Sequence, residues 1–124
     1  MSATKTSAKK WSNRELLNAL PNPTLGRYVV HITNPEVTFI GAPNQPDFAE
    51  VSIAFTPNHK IIELKSLKFY FYDFRQRLLS YERLINVIFD DLMAVYEPIH
   101  LRVSMSCNPR GGISAELVID SNDR

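Results

Sequence analysis

An α+β domain, in which one antiparallel sheet carries two helices on a single face, is predicted by three observations. Apolar and polar residues alternate in two pairs of runs, one pair on each side of a central stretch. In that central stretch the apolar spacing changes to three and four, the period of a helix. Proline, asparagine and glycine mark the junctions. The resulting order, β-β-α-α-β-β, fits a chain of 124 residues, 44% of them hydrophobic, which is long enough for one core and too short for two.

Residues 1–10 are rich in Ser, Thr, Ala and Lys and lack an apolar face, which predicts a basic flexible arm. Ser12 and Glu15 have the spacing of a capping box, with Trp11 placed to staple onto Leu16. A short helix through about Leu20 is therefore expected, stopped by Pro21 and Pro23, which cannot donate helical hydrogen bonds. Residues 1–20 are thus expected to precede a single domain over 21–124. Tyr28, Val30 and Ile32 alternate with Val29, His31 and Thr33, and after Asn34-Pro35 an extended run resumes at Val37, which predicts a first strand with a bend. The stretch 41–48 reads as a proline-containing loop. Ala49, Val51, Ile53 and Phe55 form one face of a second strand, closed by Pro57-Asn58.

Leu64, Leu67, Phe71, Phe74 and Leu78 make the stripe of a helix starting near Lys65. Ser80 offers an N-cap to a second helix carrying Leu84, Ile85, Ile88, Phe89, Leu92 and Val95 and ending before Pro98. Leu101, Val103, Met105 and Cys107, then Ile113, Ala115, Leu117 and Ile119, mark two closing strands, joined by a turn over 108–112 that needs glycine dihedrals. Such a sheet has open edges, and pairing edge to edge between subunits to close a barrel would satisfy them. A homo-oligomer is expected.

Net charge near +1 offers no concentrated field for nucleic acid or a membrane surface, and no apolar run approaches the ~18 residues of a membrane span. Residues 1–10 lack the apolar stretch of a signal peptide, so a cytoplasmic location is the expectation. His31, His59 and His100 lie on different elements without ligand spacing, and no metal is expected. Cys107 shares a strand face with apolar residues, which suits a buried structural thiol better than a nucleophile. Taken singly, Asp47 after Pro46 reads as a turn residue, and Glu82 as an acid in a first helical turn. Lys65 and Lys68 read as the wet side of an amphipathic helix.

Together, however, these residues resemble a known family. Gln45-Pro46-Asp47-Phe48-Ala49, the octapeptide Glu63-Leu64-Lys65-Ser66-Leu67-Lys68-Phe69-Tyr70, Phe74-Arg75, the 86–92 helix and Pro109-Arg110-Gly111-Gly112 occur in the order and separations of the NADPH-dependent 7-cyano-7-deazaguanine (nitrile) reductases of queuosine biosynthesis, the QueF type. Those oxidoreductases share the tunnelling fold with GTP cyclohydrolase I and pyruvoyl-tetrahydropterin synthase. The resemblance covers about 21–119.

It implies a chemistry in which a cysteine thiolate adds to the nitrile to give a thioimidate, an aspartate donates protons, a His-Glu pair holds the base and NADPH supplies two hydrides. Here Asp47 matches the aspartate and Glu82 the glutamate, whereas the histidine position holds Tyr81. The cysteine position falls on Ile40 or Gly41, and neither can attack a nitrile. Glu63, Lys65, Ser66, Lys68 and Arg110 are implied as NADPH contacts. A carboxylate such as Glu82 presents two acceptors that match the ring N–H and amino group of guanine or a pterin.

The expected function is a nitrile-reductase-like protein that binds a guanine-like 7-deazapurine or pterin at subunit interfaces, with NADPH as the implied cofactor, without forming the thioimidate itself. Two alternatives stay open. One is an active enzyme with altered chemistry on a related purine or pterin. The other is a non-catalytic subunit that completes the site of a cysteine-bearing homologous partner.

Overall fold

A computed structural model describes residues 10–124, with the side chains of 108–110 excepted. The expected arm lies outside the described residues, apart from Lys10. Six strands and two α-helices follow: β1 (Ala19–Pro21), β2 (Val30–Ala42), β3 (Gln45–Thr56), β4 (Lys60–Ile62), α1 (Leu64–Asp73), α2 (Tyr81–Tyr96), β5 (His100–Arg110) and β6 (Ile113–Asp120). The main sheet is antiparallel in the order β2-β3-β5-β6, so the two hairpins lie side by side and the helices bridge them. Val51 and Ile53 of β3 and Val103 and Met105 of β5 are buried against Leu67, Phe71, Ile88 and Leu92 of the helices, which form the other layer of the core.

The bend in β2 is a bulge. Its register against β3 shifts between Asn34 and Val37, so Val30 and Ile32 before it and Val37 and Phe39 after it all pair with the core-facing set of β3. An extra residue resets the side-chain alternation, and Pro35 sits where a strand best tolerates a missing N–H.

Several sequence expectations are corrected. The helix expected through Leu20 is a single 3-10 turn over Arg14–Leu16 with no side-chain cap. Ser12 does not cap it, because its Oγ donates instead to Asp91 Oδ2 of α2 at 2.6 Å. Trp11 lies beneath the Arg83 guanidinium, 4.6 Å from the ring centre. The chain then forms β1, which pairs with β4 in a two-stranded sheet that the reading missed. Three-residue strands carry too little alternation to be legible.

The 41–48 stretch is mostly strand. A tight turn at Pro43-Asn44 joins β2 to β3, with Asn44 at φ +62°, the proline-then-left-handed pattern of a type II turn. Finally, α1 stops at Asp73 and a 3-10 turn over Phe74–Gln76 follows, so Leu78 is not part of its stripe. Leu78 forms a bridge to Ile40 and is half exposed.

Leu64, expected in the same stripe, is 59% exposed at the first position of α1, whereas the expectations for α2 hold. Ser80 Oγ accepts from the Arg83 N–H as the N-cap of α2, which ends at Tyr96 before Pro98. The β5-β6 turn places Gly111 and Gly112 at φ +59° and +82°, dihedrals that favour glycine in a two-residue hairpin.

Candidate functional site

Ile40, Gly41, Asp47 and Tyr81 lie together at one end of the sheet. Ile40 turns its backbone away from Pro46: its N–H donates to Arg77 O at 2.9 Å, and its carbonyl accepts from Leu79 N–H at 3.0 Å. This pairing lashes the segment after the 3-10 turn onto the edge of β2 and so delivers Ser80, the α2 N-cap, beside it. Tyr81 packs its ring edge-on against Phe39, centroids 5.5 Å apart, and Phe39 stands directly across β3 from Asp47. Tyr81 is therefore a packing partner of the sheet end. Glu82 follows in the first turn of α2, on the solvent side.

Gly41 and Asp47 are more closely fitted than any sequence pattern indicates. Asp47 is only 8% exposed, and its carboxylate lies against the Gly41 backbone. A Cβ built on Gly41 would fall inside contact distance of Asp47 Oδ2 and 3.0 Å from its Cγ. Alternation from the buried Phe39 turns position 41 toward the face that holds Asp47 and turns Ile40 away from it. Of Ile40 and Gly41, position 41 is the one facing the aspartate, and the aspartate fills its side-chain space.

Cys107 belongs to the same neighbourhood, which the sequence reading did not foresee. It pairs with Ala49, two residues along β3 from Asp47, and is buried as expected. Burial, followed by the negative charges of Glu82 and Asp47, pushes its thiol up to about 11. Two carboxylates and a protonated thiol thus share one end of the sheet. Only the register between the hairpins could have revealed this, and that register is a long-range property.

The octapeptide divides into structural and exposed halves. Glu63 is the N-cap of α1, its carboxylate accepting from the Ser66 N–H at 2.9 Å and the Lys65 N–H at 3.2 Å. Ser66 is buried, donates to Glu63 O at 2.7 Å and accepts from Asn18 N–H at 3.0 Å. Lys65 and Lys68 are exposed. Lys68 borders a groove of about 120 Å³ between α1 and β2, together with Thr38, Tyr72 and Arg75, and the Arg75 guanidinium stacks 3.8 Å over the Tyr72 ring. Tyr72 was not singled out by the sequence, because an exposed helical tyrosine carries no signal until its neighbours are known. The Arg110 side chain lies outside the described residues. Among the described residues, no group of three or more His, Cys, Asp or Glu is placed to hold a metal, and no helix is long and apolar enough to cross a membrane.

A family model described as QueF-like protein matches residues 46–124. The chain belongs to the QueF-like family. The NADPH-dependent 7-cyano-7-deazaguanine reductase of Synechocystis sp. is 37% identical over 126 residues, covering 94% of this chain and 90% of that protein. A reductase of the same name from Gloeobacter violaceus is 40% identical over 102 residues, 78% of this chain and 72% of its own. The crystal structure of an archaeosine synthase QueF-Like in its apo form superposes with a TM-score of 0.69 at 19% identity, covering 75% of this chain and 92% of that one. That likeness establishes the tunnelling-type α+β fold. The family match begins at Pro46 and takes in Asp47, the octapeptide, Tyr81, Glu82 and Cys107.

Proposed function

We propose that this chain is a nitrile-reductase-like member of its family that holds a guanine-like 7-deazapurine through Glu82, with NADPH as its cofactor, and does not itself form a covalent thioimidate. The observation that carries this reading is the fit of Asp47 over Gly41. A thiolate nucleophile needs a side chain that projects toward the substrate, and the space in front of position 41 is filled by a carboxylate. Cys107, the only cysteine of the chain, does not supply a substitute: burial and two nearby acids keep it protonated, and a protonated thiol is a weak nucleophile.

Glu82 suits base recognition because its carboxylate is solvent-facing at the start of α2, and a bidentate acceptor there matches the paired N–H donors of a guanine edge. Asp47 keeps the position of the family's proton donor. Lys65, Lys68 and Arg75 supply exposed cations along α1 and its groove, which fits the phosphates of NADPH, while Glu63 and Ser66 build the helix start that sets those lysines. The cofactor would supply hydride when bound. The edges of β6 and of β2 outside the Ile40 pairing favour an oligomer whose sites lie between subunits, in a protein of the cytoplasm.

The test is intact-mass analysis after incubation with 7-cyano-7-deazaguanine, alongside binding of the same base to Glu82→Ala. We expect binding without an adduct, and loss of binding in the variant. An adduct would refute the non-covalent reading, and unchanged affinity in Glu82→Ala would remove Glu82 as the anchor.

A further inference from the structure

The face of the main sheet turned away from the helices carries polar side chains that take no part in the site described above. Strand alternation selects them: Ile32, Ile53 and Val103 pack toward the helices, so their neighbours His31, Thr33, Ser52, Ala54, Arg102 and Ser104 face the other way. The register then aligns these six in two adjacent rows across three strands. His31 of β2 stands opposite Ala54 of β3, which stands opposite Arg102 of β5, and in the next row the same strands present Thr33, Ser52 and Ser104. A hollow of about 260 Å³ is bordered by all six. Its centre at Ala54 is seven residues along β3 from Asp47, ~23 Å away at the rise of a strand.

The hollow offers hydrogen-bond donors around an open centre. Neighbouring strands are ~4.8 Å apart, so the imidazole and the guanidinium rise from backbones ~10 Å apart, and Ala54 between them contributes only a methyl group. Arg102 is a permanent cation, 52% exposed, and an imidazole donates at least one N–H in either protonation state. His31 and the hydroxyls of Thr33, Ser52 and Ser104 have no hydrogen-bond partner among the described residues. No carboxylate borders the hollow. Glu50 and Glu116 stand four residues along their strands from the Arg102 row, ~13 Å away. Asp120 approaches Arg102 Nη1 at 3.4 Å from the next strand, but it is already held by His100 Nε2 at 2.8 Å and the Asn122 N–H at 2.9 Å. A tetrahedral oxyanion can meet donors in several directions at once, whereas a planar carboxylate presents its lone pairs in one plane.

We propose that this hollow is an anion site for a phosphate group, either inorganic phosphate or the terminal phosphate of a small ester. Arg102 supplies the charge, His31 donates from the opposite side, and Ser52 and Ser104 donate from the adjoining row. The site needs neither Glu82 nor a purine, and so goes beyond the function proposed above.

The experiment is amide NMR titration of the full chain at constant ionic strength with inorganic phosphate and with glycerol 3-phosphate, chloride serving as the reference anion. Saturable shifts centred on Ser52, Ala54 and Ser104 are expected with at least one of the two, and the tighter of them identifies the free ion or the ester as the source. Arg102→Gln should weaken that binding about tenfold, the loss of a hydrogen bond between charged partners. His31→Ala, on a different strand, should weaken it severalfold. Both side chains are exposed, so neither variant threatens the fold. NADPH affinity should be unchanged in Arg102→Gln. Shifts that grow without saturating, an equal response to chloride, or unchanged phosphate affinity in both variants overturn the proposal. A parallel loss of NADPH binding in Arg102→Gln overturns it as well, by assigning these residues to the cofactor.

Discussion

Replacing Asp91 with Ala should be among the most damaging single substitutions outside the apolar core. Asp91 lies in the middle of α2, 3% exposed, and its carboxylate accepts three hydrogen bonds, each of 2.6 Å. Oδ2 takes the hydroxyls of Ser12 and Tyr70, and Oδ1 takes Arg14 Nε. Truncation leaves the two buried hydroxyls without their acceptor, at about 1–3 kcal/mol each. Arg14 is half exposed and recovers water, so its share is at most about 1 kcal/mol. A loss of about 4 kcal/mol follows, within the range measured when one partner of a buried ionic pair is removed.

With an unfolding entropy of about 2.1 cal/mol/K per residue, that loss lowers the Tm of a 124-residue domain by about 15 °C. Urea unfolding followed by circular dichroism gives the free energy directly, with the exposed neighbour Asp90→Ala as a control expected within about 0.5 kcal/mol of the original chain. In a Ser12→Ala, Tyr70→Phe background the same Asp91 substitution should cost less than half as much, because the orphaned donors are already gone. A loss below about 1 kcal/mol for Asp91→Ala alone would refute the reasoning, since it would mean that desolvating the carboxylate cancels all three bonds.

Three further outcomes are expected. Gly41→Ala should destabilise the fold by about 1–3 kcal/mol through overpacking against Asp47, and Gly41→Cys should restore no adduct with the nitrile base; a stable, adduct-forming Gly41→Cys protein would show that the space is not filled. Cys107 should resist iodoacetamide near pH 7. Because its folded pKa is raised, to about 11, the folded state keeps its proton where the unfolded thiol has lost it. The thiol's contribution to stability is therefore full below about pH 9 and falls between about pH 9 and 11; rapid labelling of the native chain at pH 7 would contradict the buried, acid-flanked assignment. Lys68→Ala and Arg75→Ala should each weaken NADPH binding measured by fluorescence titration, by about tenfold for loss of a phosphate contact. Unchanged affinity in both would free the groove from that role.

The helices and long strands were legible because their apolar periods extend over many residues. The Ser80 cap and the Gly111-Gly112 turn were legible because single residues there face a backbone demand that few side chains meet. The misread parts share the opposite property. Ser12 and Glu15 have the spacing of a capping box, yet Ser12 gains more from a buried carboxylate far along the chain than from one local N–H. Likewise the 41–48 stretch looked irregular because Pro46 cannot donate in a ladder, and it became strand because Ile40 spends its hydrogen bonds on Arg77 and Leu79 instead.

The sequence by itself determined the α+β layering, the family, and that the chain's one cysteine is Cys107. Only the tertiary structure decided how Gly41, Asp47 and Cys107 stand together. Whether position 40 or 41 faces Asp47 depends on strand alternation after a bulge, and whether Cys107 feels Glu82 and Asp47 depends on the register of two hairpins separated by the helix pair. Both are set by burying one face of the sheet against α1 and α2, a cooperative choice among distant residues that no local pattern encodes.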